Sequence, residues 1–387
     1  MADREPVAVS AIARHFLILG ATAFGGPAAH IAVMERTVVG ERGWLTRAEF
    51  VDLIGASNLI PGPNSTELAM HIGRRLAGWR GLFAAGLGFI APAALLVLAA
   101  AALYVHYGPL RAVRGALAGV EPVVVAVVAH ALWRLAPTAL ATRRTALIGV
   151  LLLLVLVLAP WLGIADGASL QVAILVAGGL AGAFGAMTPS QRDAVGRHGL
   201  AAPAFIGAAA SGAAPLVGVL PLFLFFLGVG ASVYGSGYVL LAFLHGGLVV
   251  RRGWLTDRQL LDAIAIGQVT PGPVFTAATF IGYLLRGAPG AAAATVGIFL
   301  PAFGYVAASA PFLARVQRSP VARGALDGVN AAAIAVLASA LVVIARAALV
   351  DAFAVGVALA SLVVAVGTTI NPAWIFLAAA LLGALAR

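Results

Sequence analysis

Two Pro-Gly-Pro triplets, Pro61-Gly62-Pro63 and Pro271-Gly272-Pro273, each interrupt an apolar stretch, near 48–72 and 259–285. Proline has no amide hydrogen and disfavours helix at the residue before it, so a helix meeting such a triplet must stop and restart. The restart exposes free amides at the positive end of a helix dipole, and that combination attracts anions. After the first triplet the chain reads Asn64-Ser65-Thr66 and then Glu67, and after the second it reads Val274-Phe275-Thr276. Asn58 and Gln268 stand three residues ahead of their triplets, each with an amide able to donate to an oxyanion. The candidate substrate-binding set is therefore Asn58, Pro61, Gly62, Pro63, Asn64, Ser65 and Thr66 in one half, with Gln268, Pro271, Gly272, Pro273 and Thr276 in the other. A plain structural kink is the simpler account of one triplet, but two with matching polar flanks point to a site.

Backbone weak points recur at Phe24-Gly25-Gly26-Pro27 and Tyr234-Gly235-Ser236-Gly237. Either their glycines admit a close helix contact, or they mark a second unwound segment beside the pathway. Phe24, Gly25, Gly26, Pro27, Gly235 and Gly237 are the pathway candidates. Ionisable groups inside a bilayer are functional candidates by default. Glu67 and His71 share a helix face at a spacing of four, and Glu121 lies in the apolar stretch 115–133. Glu67 and Glu121 are the candidates for coupling a proton to anion movement. The structural alternative pairs them with Arg74, Arg75 or Arg134. Asp52 and Asp262 occupy matched positions and are expected to face headgroup water.

These groups sit in a chain of 387 residues, 62% hydrophobic and 10% charged, with a mean hydropathy of +1.04. That composition belongs to a membrane protein and argues against a soluble enzyme or a nucleic-acid-binding domain. All 24 basic residues are Arg, suited to oxyanions but also a product of GC-rich coding, and the formal net charge is +10. With no Cys there is no disulfide, thiolate metal site or cysteine nucleophile, and neither HExxH nor GxSxG occurs. No cofactor, no metal and no catalytic residue is expected, which leaves an intramembrane enzyme as a remote alternative. Asp3, Arg4 and Glu5 precede the first apolar stretch without a clean cleavage site, so that stretch is expected to stay in the membrane. Spans of about 20 apolar residues are expected near 11–33, 82–105, 115–133, 145–165, 168–187, 218–246, 290–312, 324–346, 350–367 and 370–386.

Comparing the chain with itself organises these spans. Arg42-Gly43-Trp44-Leu45-Thr46 recurs 210 residues later as Arg252-Gly253-Trp254-Leu255-Thr256, and the triplets coincide at the same offset. At an offset of 209 the match continues through Gly73, Gly78, Gly81, Pro92 and Ala93 to Arg114-Gly115-Ala116-Leu117, repeated as Arg323-Gly324-Ala325-Leu326. Thr46 with Glu49, and Thr256 with Gln259, read as capping boxes behind interfacial Trp residues. The fold class is thus an all-α polytopic membrane protein of two homologous halves, 1–188 and 216–387, joined by a connection at 189–215. It has about 10–12 membrane segments including the two broken helices, and such repeats mark secondary transporters. If the broken stretches are re-entrant, the halves are inverted, which is the arrangement we expect; if they span, the halves are parallel. Arg111 and Arg114 against Arg143 and Arg144 flank a single span and do not decide orientation.

The run Phe24-Gly25-Gly26-Pro27-Ala28-Ala29-His30-Ile31, with Arg42-Gly43-Trp44-Leu45-Thr46 and Leu59-Ile60-Pro61-Gly62-Pro63-Asn64-Ser65-Thr66-Glu67, resembles the N-terminal half of the chromate ion transporter (CHR) family. The second half is similar to the same family through Gly253-Trp254-Leu255-Thr256, Gln268, the second triplet, Ile298-Phe299-Leu300-Pro301 and Gly328-Val329-Asn330-Ala331-Ala332. The resemblance spans nearly the whole chain in its two-domain form. It implies a multi-pass protein of the bacterial inner membrane that expels chromate and so confers chromate resistance, with sulfate or another tetrahedral oxyanion as the alternative substrate. Asn58, where the family commonly has Gln, and Leu244-His245-Gly246-Gly247, where an acidic residue is frequent, depart from the pattern and bear on substrate choice. Expected partners are a chromate- or sulfate-like oxyanion and membrane lipid, with no nucleic acid; a homodimer is left open.

Overall fold

The computed structural model describes residues 7–108, 110–162, 168–187, 217–234, 237, 239–309, 319–368 and 370–386, which are helical with no strand among them. The first half comprises α1 (Val9–Thr22), α2 (Gly26–Met34, continued as a π-turn over Glu35–Glu41), α3 (Arg47–Ser57), α4 (Asn64–Tyr107), α5 (Arg111–Ala139), α6 (Arg143–Leu158) and α7 (Ala168–Ala186). The second repeats that order as α8 (Val219–Ser232), α9 (Val239–Leu244, continued as a π-turn over His245–Val250), α10 (Asp257–Val269), α11 (Ala277–Ser309), α12 (Pro320–Ala348), α13 (Ala352–Gly367) and α14 (Pro372–Ala386). A 3₁₀ turn, Val274–Thr276, leads into α11. The connection expected at 189–215 lies outside the described residues.

Both expected capping boxes form. Thr46 N–H donates to Glu49 Oε2 (2.8 Å) and Glu49 N–H to Thr46 Oγ1 (3.2 Å), and Thr256 with Gln259 repeats the pair at 2.9 and 3.2 Å. These boxes satisfy orphan amides and start α3 and α10 at the water boundary.

The stretches 11–33 and 218–246, expected as single spans, are each broken. Gly25 (φ 104°) and Gly26 (φ 75°) take left-handed conformations that end α1 and reverse the chain. Thr37 Oγ1 then lies 3.3 Å from His15 Nε2, whereas a continuous helix would separate them by about 33 Å. At Phe24-Gly25-Gly26-Pro27 the chain is therefore unwound, while residues 235, 236 and 238 of the matching stretch lie outside the described residues. α4 reverses as well, at Ala77 (φ −145°) and Gly78 (φ 58°), and α11 does so at Arg286 and Gly287 (φ 63°). Gly73 consequently packs on Gly81 and Ala85, and Gly282 on Gly290 and Ala294. Each long helix is therefore two antiparallel pieces, α4a (64–77) and α4b (78–107), and α11a (277–286) and α11b (287–309).

Arg75, in the last turn of α4a, pairs with Glu49, in the first turn of α3, at 2.9 Å. Residues 47–77 thus enter and leave at one boundary, as a re-entrant hairpin with the Pro-Gly-Pro triplet at its tip. Orientation of the halves follows from glycine contacts. α5 packs antiparallel on α14, with Gly115 against Gly383 and Gly119 against Ala379, and α7 packs antiparallel on α12, with Gly182 against Gly324 and Gly178 against Gly328. Within each half one helix and two short connections separate α5 from α7, and α12 from α14, so these run the same way. The repeat-related pair α5 and α12 must then run in opposite directions, and the halves are inverted.

Among the described residues five helices are long and apolar enough to cross a membrane, counting α4 and, with its leading 3₁₀ turn, α11 as whole elements. Leucines exposed on these helices, among them Leu87, Leu95, Leu103 and Leu300, suit contact with lipid. Ile12, Phe16, Met34, Phe50, Leu68 and Phe89 give the first-half hairpins an apolar core of their own, while a second core joins α5 to the second half.

Candidate functional site

The two triplets meet the opposite halves reciprocally. Gly62 N–H donates to the Val233 carbonyl at the end of α8, and Gly272 N–H donates to the Ala23 carbonyl at the end of α1, both at 2.8 Å. Gly62 (φ 136°) and Gly272 (φ 91°) require backbone that other residues rarely adopt. Ala302 approaches Gly62 and Ala93 approaches Gly272, so α11b and α4b each cross the other half's break. The ends of α1 and α8 and the two triplets therefore converge between the halves, which is where unwound backbone is tolerated in a membrane. The Gly62 and Gly272 amides are spent on this junction.

Donors remain next to it. Pro63 caps α4 with no side chain capping it, and the Thr66 and Glu67 amides turn to the Pro63 carbonyl (2.7 and 3.0 Å), leaving those of Asn64 and Ser65 as first-turn donors. Asn64 Nδ2 donates to Asn58 Oδ1 at 2.9 Å, joining two expected residues across the first break, and Tyr234 donates its hydroxyl to the Asn58 carbonyl. Ser65 Oγ lies 3.2 Å from His30 Nδ1, while His30 Nε2 lies 3.2 Å from the Ala23 carbonyl. Thr66 Oγ1 is buried and has no hydrogen-bond partner in the structure. In the second half Gln268 is buried, and Thr276 turns its hydroxyl to the Pro273 carbonyl (2.7 Å), so Thr276 is not the free donor it was expected to be.

The two breaks differ in access. Asn58 and Phe24 are exposed and Asn64 is half-buried, whereas residues 271–276 are buried throughout. Gly237 lies beside Pro27 and Phe275, bringing the tips of the two first hairpins to the same place; Gly235 lies outside the described residues.

The coupling candidates separate. Glu67 is completely buried, both its carboxyl oxygens lack a hydrogen-bond partner, and Oε1 occupies the space that a side chain at Gly62 would need. Neither Arg74 nor Arg75 pairs with it. Arg74 donates to the Val306 and Ala307 carbonyls and Arg75 holds Glu49. Glu121 lies away from both breaks, where Arg258 Nε of the second half meets Oε1 at 3.1 Å, so the expected partner Arg134 is replaced by one that the repeat could not indicate. Asp52 is exposed as expected, but Asp262 is buried and accepts the Tyr104 hydroxyl at Oδ2 (2.8 Å). His30, Tyr234 and Tyr305, whose hydroxyl reaches the Ala231 carbonyl (3.0 Å), were not among the expected site residues. The available signal was the repeat itself, which puts Tyr234 opposite Phe24 and adds one hydroxyl.

Neutral amides and hydroxyls beside an uncapped helix start provide several hydrogen-bond donors without a fixed counter-charge. They suit a weakly held, mobile oxyanion.

Comparison with known proteins follows the same division of the chain. The chromate transporter family profile matches residues 10–183 and again 220–384. A chromate transport protein of Cupriavidus metallidurans is 31% identical over 87% of this chain and 82% of its own length. One from Pseudomonas aeruginosa is 32% identical over 86% and 80%, and a probable chromate transport protein of Synechococcus elongatus is 31% identical over 84% and 82%. No solved structure matches.

Proposed function

This chain belongs to the chromate transporter family, and we propose that it expels chromate across the bacterial inner membrane as a secondary transporter. The observation that carries the reading is the reciprocal junction of Gly62 with Val233 and Gly272 with Ala23, a broken helix from each inverted half meeting the other. Such a centre is the usual address of a transported ion in inverted-repeat carriers.

An isolated dianion in hydrocarbon costs on the order of tens of kcal/mol, so many donors must act together. The Asn64 and Ser65 amides, the side chains of Asn58, Asn64 and Thr66, and Gln268 from the other half supply them. Rocking of the first-half hairpins, which have their own apolar core, against the rest exposes this centre to each side in turn. Glu67 touches the first break, where its charge opposes a bound dianion. A proton on Glu67 and an anion at the break therefore favour one another, which couples their movement.

The deciding experiment uses reconstituted vesicles, measuring uptake of labelled chromate and labelled sulfate under separately imposed proton and anion gradients. Flux of chromate without ATP, dependent on a gradient, is the expected outcome. Sulfate flux exceeding chromate flux would reassign the substrate, and no gradient-driven flux of either would end the transporter reading.

A further inference from the structure

α4a carries a buried histidine that anion binding at the breaks leaves unused. Glu67, His71 and Arg75 follow at a spacing of four and lie along one face of that helix. Glu67 is 0% exposed and His71 6% exposed, and the two Glu67 carboxyl oxygens and His71 Nε2 are buried atoms without a hydrogen-bond partner in the structure. Native proteins rarely leave three such atoms together, and a group that binds and loses a proton, or a bridging water, is a common reason. One turn beyond His71, Arg75 is exposed and ion-paired with Glu49 at the mouth of the re-entrant hairpin. The stripe therefore runs from the Pro-Gly-Pro tip to the water boundary in two helical turns, about 12 Å.

Resting on the reading that Glu67 carries the coupled proton, we propose that His71 is the relay through which Glu67 exchanges that proton with the side of the membrane at which the first-half hairpins open. A hydronium ion gives its proton to one ring nitrogen and is left as water. The imidazolium then passes a proton to the Glu67 carboxylate, directly or through one water, leaving a neutral imidazole and a neutral carboxyl. The other charged and titratable groups near the stripe are already engaged. Arg74 faces the Val306 and Ala307 carbonyls and the Trp79 ring, Arg75 holds Glu49, and His30 lies between Ser65 and Ala23. The Tyr234 and Tyr305 hydroxyls donate to the Asn58 and Ala231 carbonyls.

The test is the ratio of proton-gradient-driven chromate flux to chromate self-exchange in vesicles, for His71→Gln, His71→Gly and Glu67→Gln. His71→Gln should lower the ratio tenfold or more, and added imidazole should restore flux in His71→Gly but not in Glu67→Gln. A wild-type ratio in His71→Gln, or absence of imidazole rescue in a correctly inserted His71→Gly, overturns the relay. If Glu67→Gln alone loses gradient dependence, Glu67 keeps its role without His71. If Glu67→Gln also keeps it, the underlying reading fails with the relay.

Discussion

Gly62 donates its amide to the carbonyl of Val233 in the opposite half, 2.8 Å away, and the repeat-related bond from Gly272 to Ala23 has the same length. Each bond lies at the tip of a hairpin, so the two halves grip one another where their own helices are broken. Membrane burial makes such amides costly to leave unpaired, which explains why an unwound centre persists. The same bonds couple movement of one half to the backbone of the other.

Substituting either glycine tests this centre. At Gly62 a Cβ meets the Glu67 carboxyl, a side chain that can turn aside, whereas at Gly272 it meets Ala93 and the Gly20 carbonyl. Both sites also impose left-handed strain of about 1–2 kcal/mol. Gly62→Ala should insert normally and lose transport at least tenfold, and Gly62→Leu and Gly272→Leu should abolish it. Gly272→Ala should lose thermal stability as well. Flux assays paired with melting of the purified protein check this, and wild-type flux in all four variants would remove the site from the breaks.

The inverted arrangement predicts opposite labelling of equivalent loops in this Cys-free chain. Arg42 is exposed, but its repeat mate Arg252 is half-buried against Phe225 and Trp254, so its neighbour Arg251 is the better probe. Arg42→Cys and Arg251→Cys should react with an impermeant maleimide from opposite faces of oriented membranes. Reaction from one face would contradict the topology.

Much of this was legible because glycine and proline act through the backbone. The triplets, the capping boxes and the 210-residue repeat each state a local conformation that no tertiary contact needs to supply. The reversal at Gly78 falls between the broken stretch 48–72 and the span near 82–105, with Arg75 and Arg80 on either side, whereas Gly25-Gly26-Pro27 fitted a close helix contact as well as an unwound segment. Partners across the halves were not legible. Arg258 meets Glu121 and Tyr104 meets Asp262 because inversion stacks α10 on α4b and α5, and neither spacing nor the repeat encodes that. Asn58 and Asn64 were readable as a pair of donors, but their direct bond depends on how the hairpin closes.

Glu121 offers a contrast with Glu67. Its partner Arg258 has a mostly exposed side chain (59%), so solvent screens the pair and its worth is about 0.5–1 kcal/mol. Glu121→Gln should lower stability by that small amount, seen as a shift in detergent-solubilised melting, and leave the dependence of flux on the proton gradient intact. Loss of that dependence would move the coupling role to Glu121.

The same measurement on Glu67→Gln should come out the other way. In the wild type, one proton bound with the anion makes chromate affinity rise as pH falls, by up to tenfold per pH unit while a single group titrates with binding. Glutamine keeps the size and much of the hydrogen bonding of a protonated carboxyl but cannot exchange the proton. Chromate affinity in Glu67→Gln should therefore be flat with pH and match the low-pH value of the wild type. Net flux should no longer respond to an imposed proton gradient. Binding is best measured by equilibrium titration above the pH range in which chromate itself takes up a proton, so that only the protein contributes. A wild-type slope in the variant would show that Glu67 is not the coupled group, and its buried, unpartnered carboxyl beside Gly62 would then need a structural explanation.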